Sequence, residues 1–261
     1  MNPKIFFDMV RESVFRGHMT QEQVEGCVKI IDYRDAHWPR MSNAELAYVL
    51  ATPWWETGRS MQPIEEGYPL TGERLRAYQE NLRYYPAYGR GLVQTTWPQN
   101  YARLGLNKPE DYPKALEWDY ALRALFEGMI FGWYRKDAQG PCKLSRYISE
   151  RVQDYFNARL IINGVPKGKK EPDHAREIAA TARAFLVALI KAADPAAVVE
   201  KPAPKLVLAP QPAPEKPVTT VPPAPKPLAL APAKAEPHVV SAASLLEQFA
   251  KAIGALAAEP S

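Results

Sequence analysis

The chain has 261 residues and a formal net charge of +4 at pH 7, to which the tail from Ala193 onward contributes nothing because its six lysines and six acidic residues cancel. This mild, unclustered basic excess does not indicate a nucleic-acid-binding protein. The chain has only two cysteines, far apart, which argues against a disulfide framework. Its four histidines are scattered without an HExxH motif, and no glycine-rich loop follows a strand-like run, which argues against zinc and nucleotide chemistry. We therefore expect neither a metal nor a cofactor.

The N-terminal stretch MNPKIFFDMVRESVF does not resemble a signal peptide. Asp8, Arg11 and Glu12 interrupt the apolar run that such a peptide needs, and no later stretch reaches transmembrane length. We therefore expect the protein to be made in the cytoplasm and to need another exit route for any action outside it.

Helical periodicity dominates residues 1–192. Two capping-box patterns, TQEQ at Thr20 and SNAE at Ser42, each precede an apolar stripe with helical spacing, and two further stripes follow later in the chain. These stripes predict a mainly α fold with a helical core, including Cys27 as a buried free thiol. Their members are Val24, Cys27, Val28 and Ile31; Leu46, Val49 and Leu50; Leu122, Leu125, Phe126, Met129 and Trp133; and Ile178, Ala182, Phe185 and Leu189.

Residues 59–107 interrupt this pattern with many prolines and glycines. We expect this segment to be rich in loops, with short strands near the sequence GLVQTTW. Loops supported between helices are a common place for a binding cleft.

Glu56 stands at the end of the second capped helix, in the sequence TPWWETG. If that helix continues past Pro53, Glu56 lies in its last turn, next to Trp54 and Trp55, with Gly58 as the cap. Apolar surroundings disfavour an ionised carboxyl, which suits a general acid at near-neutral pH. The alternative is an ordinary surface glutamate at a helix end.

Two later blocks combine aromatic and amide side chains: YYPAYGRGLVQTTWPQNYARLG at 84–105 and FNARLIINGV at 156–165. Together with the Glu-Thr at the helix end, the YGRGxxQ loop, the Asn-Tyr after it and the NARxIING motif resemble family 19 glycoside hydrolases, especially the compact phage and prophage endolysins. The resemblance covers residues 40–190. It implies a two-lobed, lysozyme-like helical domain with a loop-rich cleft that hydrolyses β-1,4 bonds next to N-acetylated sugars by inversion.

The resemblance also implies roles for individual residues. Glu56 matches the general acid, Arg159 belongs to the charged network behind it, and Asn163 contacts the sugar from the opposite lobe. Gln94, Thr96 and Asn100 match polar positions that line the sugar cleft, with Thr96 standing where the plant enzymes have serine. Sugar-binding clefts also need aromatic platforms, for which Tyr88, Trp97 and Tyr101 are candidates, with about half of the aromatic residues of this block expected to be core instead. Trp55 replaces the histidine that usually precedes the acid.

An inverting enzyme needs a second carboxylate that activates a water. The candidates are Glu65, Glu66, Glu73 and Glu80. We choose Glu66, because endolysin relatives have an acid followed by a small residue and tyrosine after Gln-Pro. Its neighbour Glu65 is then a supporting residue, solvated or paired with an arginine.

The tail contains thirteen prolines between Pro195 and Pro237, which predicts a disordered Pro/Ala-rich linker over 193–239. A short amphipathic helix is predicted over 240–261, with Leu245, Phe249 and Ile253 on one face. The stretch 241–258 suits docking on a membrane surface or a partner, or self-association, with an unfunctional chain end as the alternative.

These features favour an endolysin whose partner is peptidoglycan or a related N-acetylated glycan. We expect it to act as a monomer on the cell wall after release from the host cytoplasm. A chitinase and a catalytically inactive wall-binding protein remain as alternatives.

Overall fold

The computed structural model describes residues 1–149 and 151–193, and the chain is mainly helical there, as predicted. The predicted amphipathic helix over 240–261, and all of the predicted linker except Ala193, lie outside the described residues. The α-helices are α1 (Pro3–Ser13), α2 (Gln21–His37), α3 (Asn43–Glu56), α4 (Gly72–Glu80), α5 (Pro98–Arg103), α6 (Trp118–Phe131), α7 (Leu144–Tyr147) and α8 (Ala175–Ala193).

The remaining regular elements are short. Two 3-10 helices cover Pro109–Leu116 and Asn157–Ile161. Strands β1 (Ile64–Glu65) and β2 (Arg90–Gly91) form one antiparallel pair, and strands β3 (Lys136–Asp137) and β4 (Gly140–Pro141) form another. In the first pair Ile64 lies opposite Gly91 and Glu65 lies opposite Arg90.

Both predicted capping boxes are present. The Thr20 hydroxyl accepts the Gln23 N–H at 3.3 Å and the Gln23 side chain accepts the Thr20 N–H at 2.9 Å, while Ser42 and Glu45 make the same exchange at 3.2 and 2.9 Å. These bonds satisfy amides that a helix start leaves unpaired. They fix where α2 and α3 begin. Helix α3 ends at Glu56.

Helix α8 packs against both α1 and α3, and these three helices contribute much of the core. The Phe6 ring on α1 stacks on the Phe185 ring of α8 with centroids 6.3 Å apart. The Asn2 N–H donates to the Ala192 carbonyl at 2.8 Å, which ties the start of the chain to the last turn of α8. The last turn of α8 is therefore part of the packed domain.

Two residues of the predicted stripes depart from the prediction. Val28 is 38 % exposed, because the buried face of α2 follows Cys27, Ile30 and Ile31 and the next residue along a helix points about 100° away. Trp133 lies beyond α6, which ends at the left-handed Gly132. Cys27 is a buried free thiol, as predicted, and burial raises its pKa to about 12.

The segment 59–107 is built of loops and short elements, as predicted, and β2 with its bridge from Arg90 to Thr95 falls at the expected place. Four non-glycine residues here have positive φ: Arg59, Met61, Gln94 and Trp97. Within residues 1–149 and 151–193, no helix combines the length and apolarity that a membrane span requires.

Candidate functional site

Glu56 ends α3 with a fully buried side chain. The helix continues past Pro53, and Thr57 at its end donates to the Pro53 carbonyl from both its N–H, at 3.0 Å, and its hydroxyl, at 2.7 Å. Glu56 Oε1 accepts a hydrogen bond from Arg159 Nη1, and Oε2 has no hydrogen-bond partner among the described residues. Glu56 thus forms a buried ion pair with one carboxylate oxygen uncommitted.

Arg159 reaches Glu56 from the 3-10 helix Asn157–Ile161 and is only 1 % exposed. Its Nε donates to the Asp173 carbonyl at 3.1 Å, while its Nη2 has no partner within the described part of the chain. The arginine therefore joins the end of α3 to the segment that precedes α8. The resemblance implied this contact between Arg159 and Glu56, and the acid role of Glu56 stays a prediction.

A histidine lies against the tryptophan that precedes Glu56. The rings of Trp55 and His174 have centroids 4.3 Å apart at 34°, and His174 Nε2 lies 3.4 Å from the Asp173 carboxylate. His174 adopts a left-handed backbone with φ of 55°. We call Glu56, Arg159, Trp55, Asp173 and His174 the Glu56 cluster.

Glu66 is the second buried carboxylate of the region, with 1 % exposure. Its Oε1 accepts the Tyr84 hydroxyl at 2.6 Å, and its Oε2 accepts the Gly89 N–H at 2.7 Å. Burial raises the pKa of Glu66, and the bonds from Tyr84 and Gly89 oppose this rise without cancelling it. Burial and the Glu66 carboxylate raise the pKa of the Tyr84 hydroxyl, so it remains a donor.

Gln94 and Gly89 complete this second group, which we call the Glu66 cluster with Glu66 and Tyr84. Gln94 Nε2 donates to the carbonyls of Ile64 and Gly91, both at 3.1 Å, and its buried Oε1 has no partner among the described residues. A Cβ at position 89 would lie 2.8 Å from Gln94 Oε1 and 3.1 Å from Glu66 Oε2. A side chain at 89 would therefore push into both polar groups.

Glu65 pairs with an arginine, as expected for the neighbour of Glu66. It accepts bonds from the Tyr88 hydroxyl at 3.0 Å and from Arg90 Nε at 3.4 Å, and its side chain is 29 % exposed. Arg90 also stacks over the Tyr88 ring at 3.6 Å. The other two carboxylate candidates, Glu73 and Glu80, lie exposed on α4 and belong to neither cluster.

The structure places the predicted cleft residues unequally. Thr96 and Asn100 are buried and form a chain with Gln94, in which Thr96 Oγ1 donates to the Gln94 carbonyl and Asn100 Nδ2 donates to the Thr96 carbonyl, both at 2.9 Å. Trp97 is half-buried and its ring lies 5.3 Å from that of Tyr84. Asn163 is 7 % exposed and follows Arg159 closely, with its N–H donating to the Arg159 carbonyl.

Tyr101 departs from its expected place in a sugar cleft. Its side chain has no exposed surface, and its hydroxyl donates to the Tyr88 carbonyl and accepts from Arg90 Nη1. Tyr88 keeps only 7 % exposure and uses its hydroxyl on Glu65. The hydroxyls of these two tyrosines therefore point into the protein, where they hydrogen-bond to Arg90, Glu65 and the Tyr88 carbonyl.

A groove runs along the chain segment that joins Glu56 to Glu66. It is formed by residues 58–68 together with the start of α2, has a volume of about 480 Å³, and we call it the 58–68 groove. Its lining includes Thr20, Glu22, Gln23, Arg59, Gln62 and Tyr68. In the part of the chain that the structure describes, no group of three or more His, Cys, Asp and Glu could hold a metal ion.

Sequence reasoning missed three contributors to these clusters. Gly89 lies inside the quoted YGRG motif and Tyr84 in the aromatic block, so both had a signal that could have been used. His174 had none, because its neighbour Trp55 is distant in the chain and no local pattern marks the contact. No protein-family model matches the chain, and a comparison with curated proteins finds no match.

Proposed function

We propose that this chain is an endolysin of the family 19 glycoside hydrolase type, which hydrolyses β-1,4-glycosidic bonds of peptidoglycan by inversion. One observation carries the proposal: two buried carboxyls, Glu56 and Glu66, stand at the two ends of one short segment in unlike surroundings. A pair of carboxyls whose environments differ is the requirement for separate acid and base roles. The proposal includes the two-lobed, lysozyme-like arrangement with the cleft between the lobes.

Glu56 is the proposed general acid, following the resemblance. A guanidinium in contact with a carboxylate stabilises its charge, whereas an acid must hold a proton when the substrate arrives. The acid role therefore requires Arg159 to leave Oε1 on substrate binding, and the uncommitted Oε2 is the oxygen that faces no competing partner. After Arg159 leaves Oε1, its hydrogen bond to the Asp173 carbonyl would keep the guanidinium inside the protein.

Glu66 is the proposed general base. Each of its oxygens accepts one hydrogen bond, which orients the carboxylate and leaves lone pairs for a water. Gln94 Oε1 is the second acceptor on the same side of Gly89, where it would help to hold that water. Thr96 and Asn100 support Gln94 through its carbonyl.

Substrate access requires movement of the loops in 59–107. Glu56, Glu66 and Gln94 are each at most 1 % exposed, so a glycan reaches them only after these loops open. Loop closure over a site is a common way to exclude water and complete a catalytic arrangement. The partner in this proposal is peptidoglycan or a related N-acetylated glycan, met by a monomer after release from the cytoplasm.

The first experiment compares the full chain with E56Q, E66Q and E65Q on purified cell walls and on chitin, measuring reducing ends. We expect lysis of walls by the wild type, losses on the order of 10²–10⁴ for E66Q, a larger loss for E56Q, and a change within a few-fold for E65Q. Turnover of chitin alone would make the protein a chitinase. Binding to walls without turnover would make it an inactive wall-binding protein.

The second experiment assigns the two roles. A dinitrophenyl glycoside of an N-acetylglucosamine oligomer has a leaving group that needs no protonation, so it restores the rate of a variant that lacks only its acid. Azide replaces the activated water, so it restores a variant that lacks only its base. We expect the leaving group to rescue E56Q and azide to rescue E66Q, and the opposite pattern would reverse the roles.

A further inference from the structure

The 58–68 groove is continuous with the segment that joins the two proposed catalytic carboxyls. One wall, at Gly58 and Arg59, begins two residues after Glu56, and another, at Ile64, ends two residues before Glu66. The Ile64 carbonyl also accepts the Gln94 side chain, so the groove shares a backbone group with the Glu66 cluster. The groove therefore lies beside the chain segment between the two carboxyls.

Two side-chain hydrogen bonds join α2 to the segment after α3 at this groove. Gln23 Nε2 donates to the Arg59 carbonyl at 2.9 Å, and Gln62 Nε2 donates to the Glu22 carbonyl. The start of α2, with its partial positive charge, therefore lies along the groove wall. Tyr68, 43 % exposed, adds an aromatic ring to the lining.

The positive charge of the groove lining is carried by Arg59, and Arg16 lies near it outside the lining. Neither Arg59 nor Arg16 takes part in an ion pair among the described residues, and both side chains are exposed. Arg59 lines the groove, and its guanidinium carbon lies 4.9 Å from the Trp54 ring centroid. Partial burial and the nearby charge of Arg16 lower the pKa of Arg59, a sign that two like charges are held close together.

Glu22 is the acidic residue of the groove lining. It lies in the first turn of α2, and hydrogen bonds from its own backbone N–H and from Thr20 lower its pKa, so it is ionised at neutral pH. Its charge offsets part of the positive field of Arg59 and Arg16. The lining itself is therefore neutral overall, and the nearby Arg16 adds positive charge beside Arg59.

We propose that the 58–68 groove binds the carboxylate-bearing peptide stem of peptidoglycan, with Arg59 as the residue that recognises the stem carboxylate. The proposal rests on the proposed function, since it assigns the substituent of the substrate at that site. Peptidoglycan carries an acidic peptide on alternate sugars, whereas chitin is neutral, so an unpaired arginine beside the carboxyls selects between them. Guanidinium groups bind carboxylates through paired, charge-assisted hydrogen bonds.

The test uses the full chain on two substrates, intact peptidoglycan and the same glycan strands after an amidase has removed the stems. The measured quantity is the ratio of reducing-end release on stem-bearing to stem-free glycan. We expect R59Q to lower this ratio about tenfold, a typical effect of losing one charge-assisted hydrogen bond, and E22Q to raise it. R183Q, which removes an exposed arginine of α8, is the matched control and should leave the ratio unchanged.

Equal effects of R59Q on both substrates, or none on either, would overturn the stem assignment while the wild-type rate still supports the glycosidase. A binding measurement separates the two proposals further. If the wild type releases no reducing ends, the glycosidase proposal fails, and cosedimentation with stem-bearing and stem-free glycan still tests the groove. Preference of the wild type for stem-bearing glycan that R59Q abolishes supports stem binding, and equal cosedimentation overturns it.

Discussion

Glu56 and Arg159 are two charged side chains that the fold has removed from water. Transfer of each charge into the protein is unfavourable by several kcal/mol, and their mutual attraction compensates only while both are present. Glu56 Oε2 and Arg159 Nη2 are also buried without partners among the described residues. Such a pair is weak evidence for a purely stabilising role, and it is consistent with a carboxyl kept for chemistry.

The first prediction concerns the stability of E56Q. Removing one charge leaves Arg159 buried and uncompensated, so we expect hydrolysis to be lost and the free energy of unfolding to fall by about 3–5 kcal/mol. Denaturant unfolding and reducing-end release measure the two effects. The double variant E56Q/R159M, which removes both charges, should recover most of the stability and none of the activity.

Full activity of E56Q would remove Glu56 from the acid role. Activity regained together with stability in E56Q/R159M would show that the single variant was inactive only because it was unfolded. A stability of E56Q equal to that of the wild type would mean that water reaches Arg159 in solution.

The second prediction concerns pH and the Tyr84 hydroxyl. Burial raises the pKa of Glu66 above its usual 4.5, and the hydrogen bond from Tyr84 lowers it, so Y84F should raise it further. A base must be ionised, so the acid limb of the pH–rate profile should move to higher pH in Y84F. Y85F changes an exposed neighbour, 50 % accessible, and should leave the profile in place.

The same pKa shift affects stability with a defined sign. Because the folded-state pKa of Glu66 is raised, the stability that this carboxyl contributes is complete below its unfolded pKa and is lost as the pH rises through the folded pKa. The free energy of unfolding should therefore fall less steeply with rising pH above 4.5 in E66Q than in the wild type. For the rate, an acid limb of the pH–rate profile that moves to lower pH in Y84F would contradict the assignment of Glu66 as the base.

At the scale of elements, the loop that leads into β2 depends on Gly89. The missing side chain lets the Glu66 carboxylate and the Gln94 amide approach the same backbone position. The Gly89 backbone also makes two hydrogen bonds with Glu66. Its N–H donates to Glu66 Oε2 at 2.7 Å, and its carbonyl accepts the Glu66 N–H at 2.7 Å. The loop and the segment after β1 are therefore held together at the proposed base.

The third prediction is that G89A lowers the hydrolytic rate by about 10²-fold through displacement of Glu66 and Gln94, since misplacement of catalytic groups by about 1 Å has effects of that size. The temperature of thermal unfolding should also fall, because the displaced side chains are buried and hydrogen-bonded, although the backbone at Gly89 does not have positive φ. Adding G89A to Q94A should lower the rate less than adding it to the wild type. Equal effects in both backgrounds would mean that the added methyl group acts elsewhere.

For the whole molecule, α8 holds the described domain together up to its last turn. Ala188, Leu189 and Ala192 are each at most 1 % exposed, and the Ala192 carbonyl accepts the Asn2 N–H. The fold therefore needs these residues.

The fourth prediction follows for truncated chains. A chain of residues 1–193 should unfold at a temperature close to that of the full chain and should retain lysis of isolated walls. A chain of residues 1–186, which loses the last turns of α8, should be unstable because three core positions are removed. Circular dichroism on heating and wall lysis measure both, and early melting of 1–193 would mean that the tail packs on the domain.

Local patterns in the sequence determined the secondary structure well. Capping residues and 3.6-residue periodicity act between near neighbours in the chain, so the starts at Thr20 and Ser42 and the position of Glu56 at the end of α3 were predictable. The pairing of Glu65 with an arginine also followed the expectation. The exposure of Val28 and the burial of Tyr101 did not, because burial depends on which face a distant segment covers.

The sequence by itself therefore determined the helical class and the boundaries near Glu56, and it supplied the polar residues of the proposed glycan site. The tertiary structure alone decided which of these residues meet. Arg159 contacts Glu56 across 103 positions, and Tyr84 contacts Glu66 across 18. Such contacts arise when packing brings remote segments together and burial forces their polar groups to find partners, and no local pattern encodes that choice.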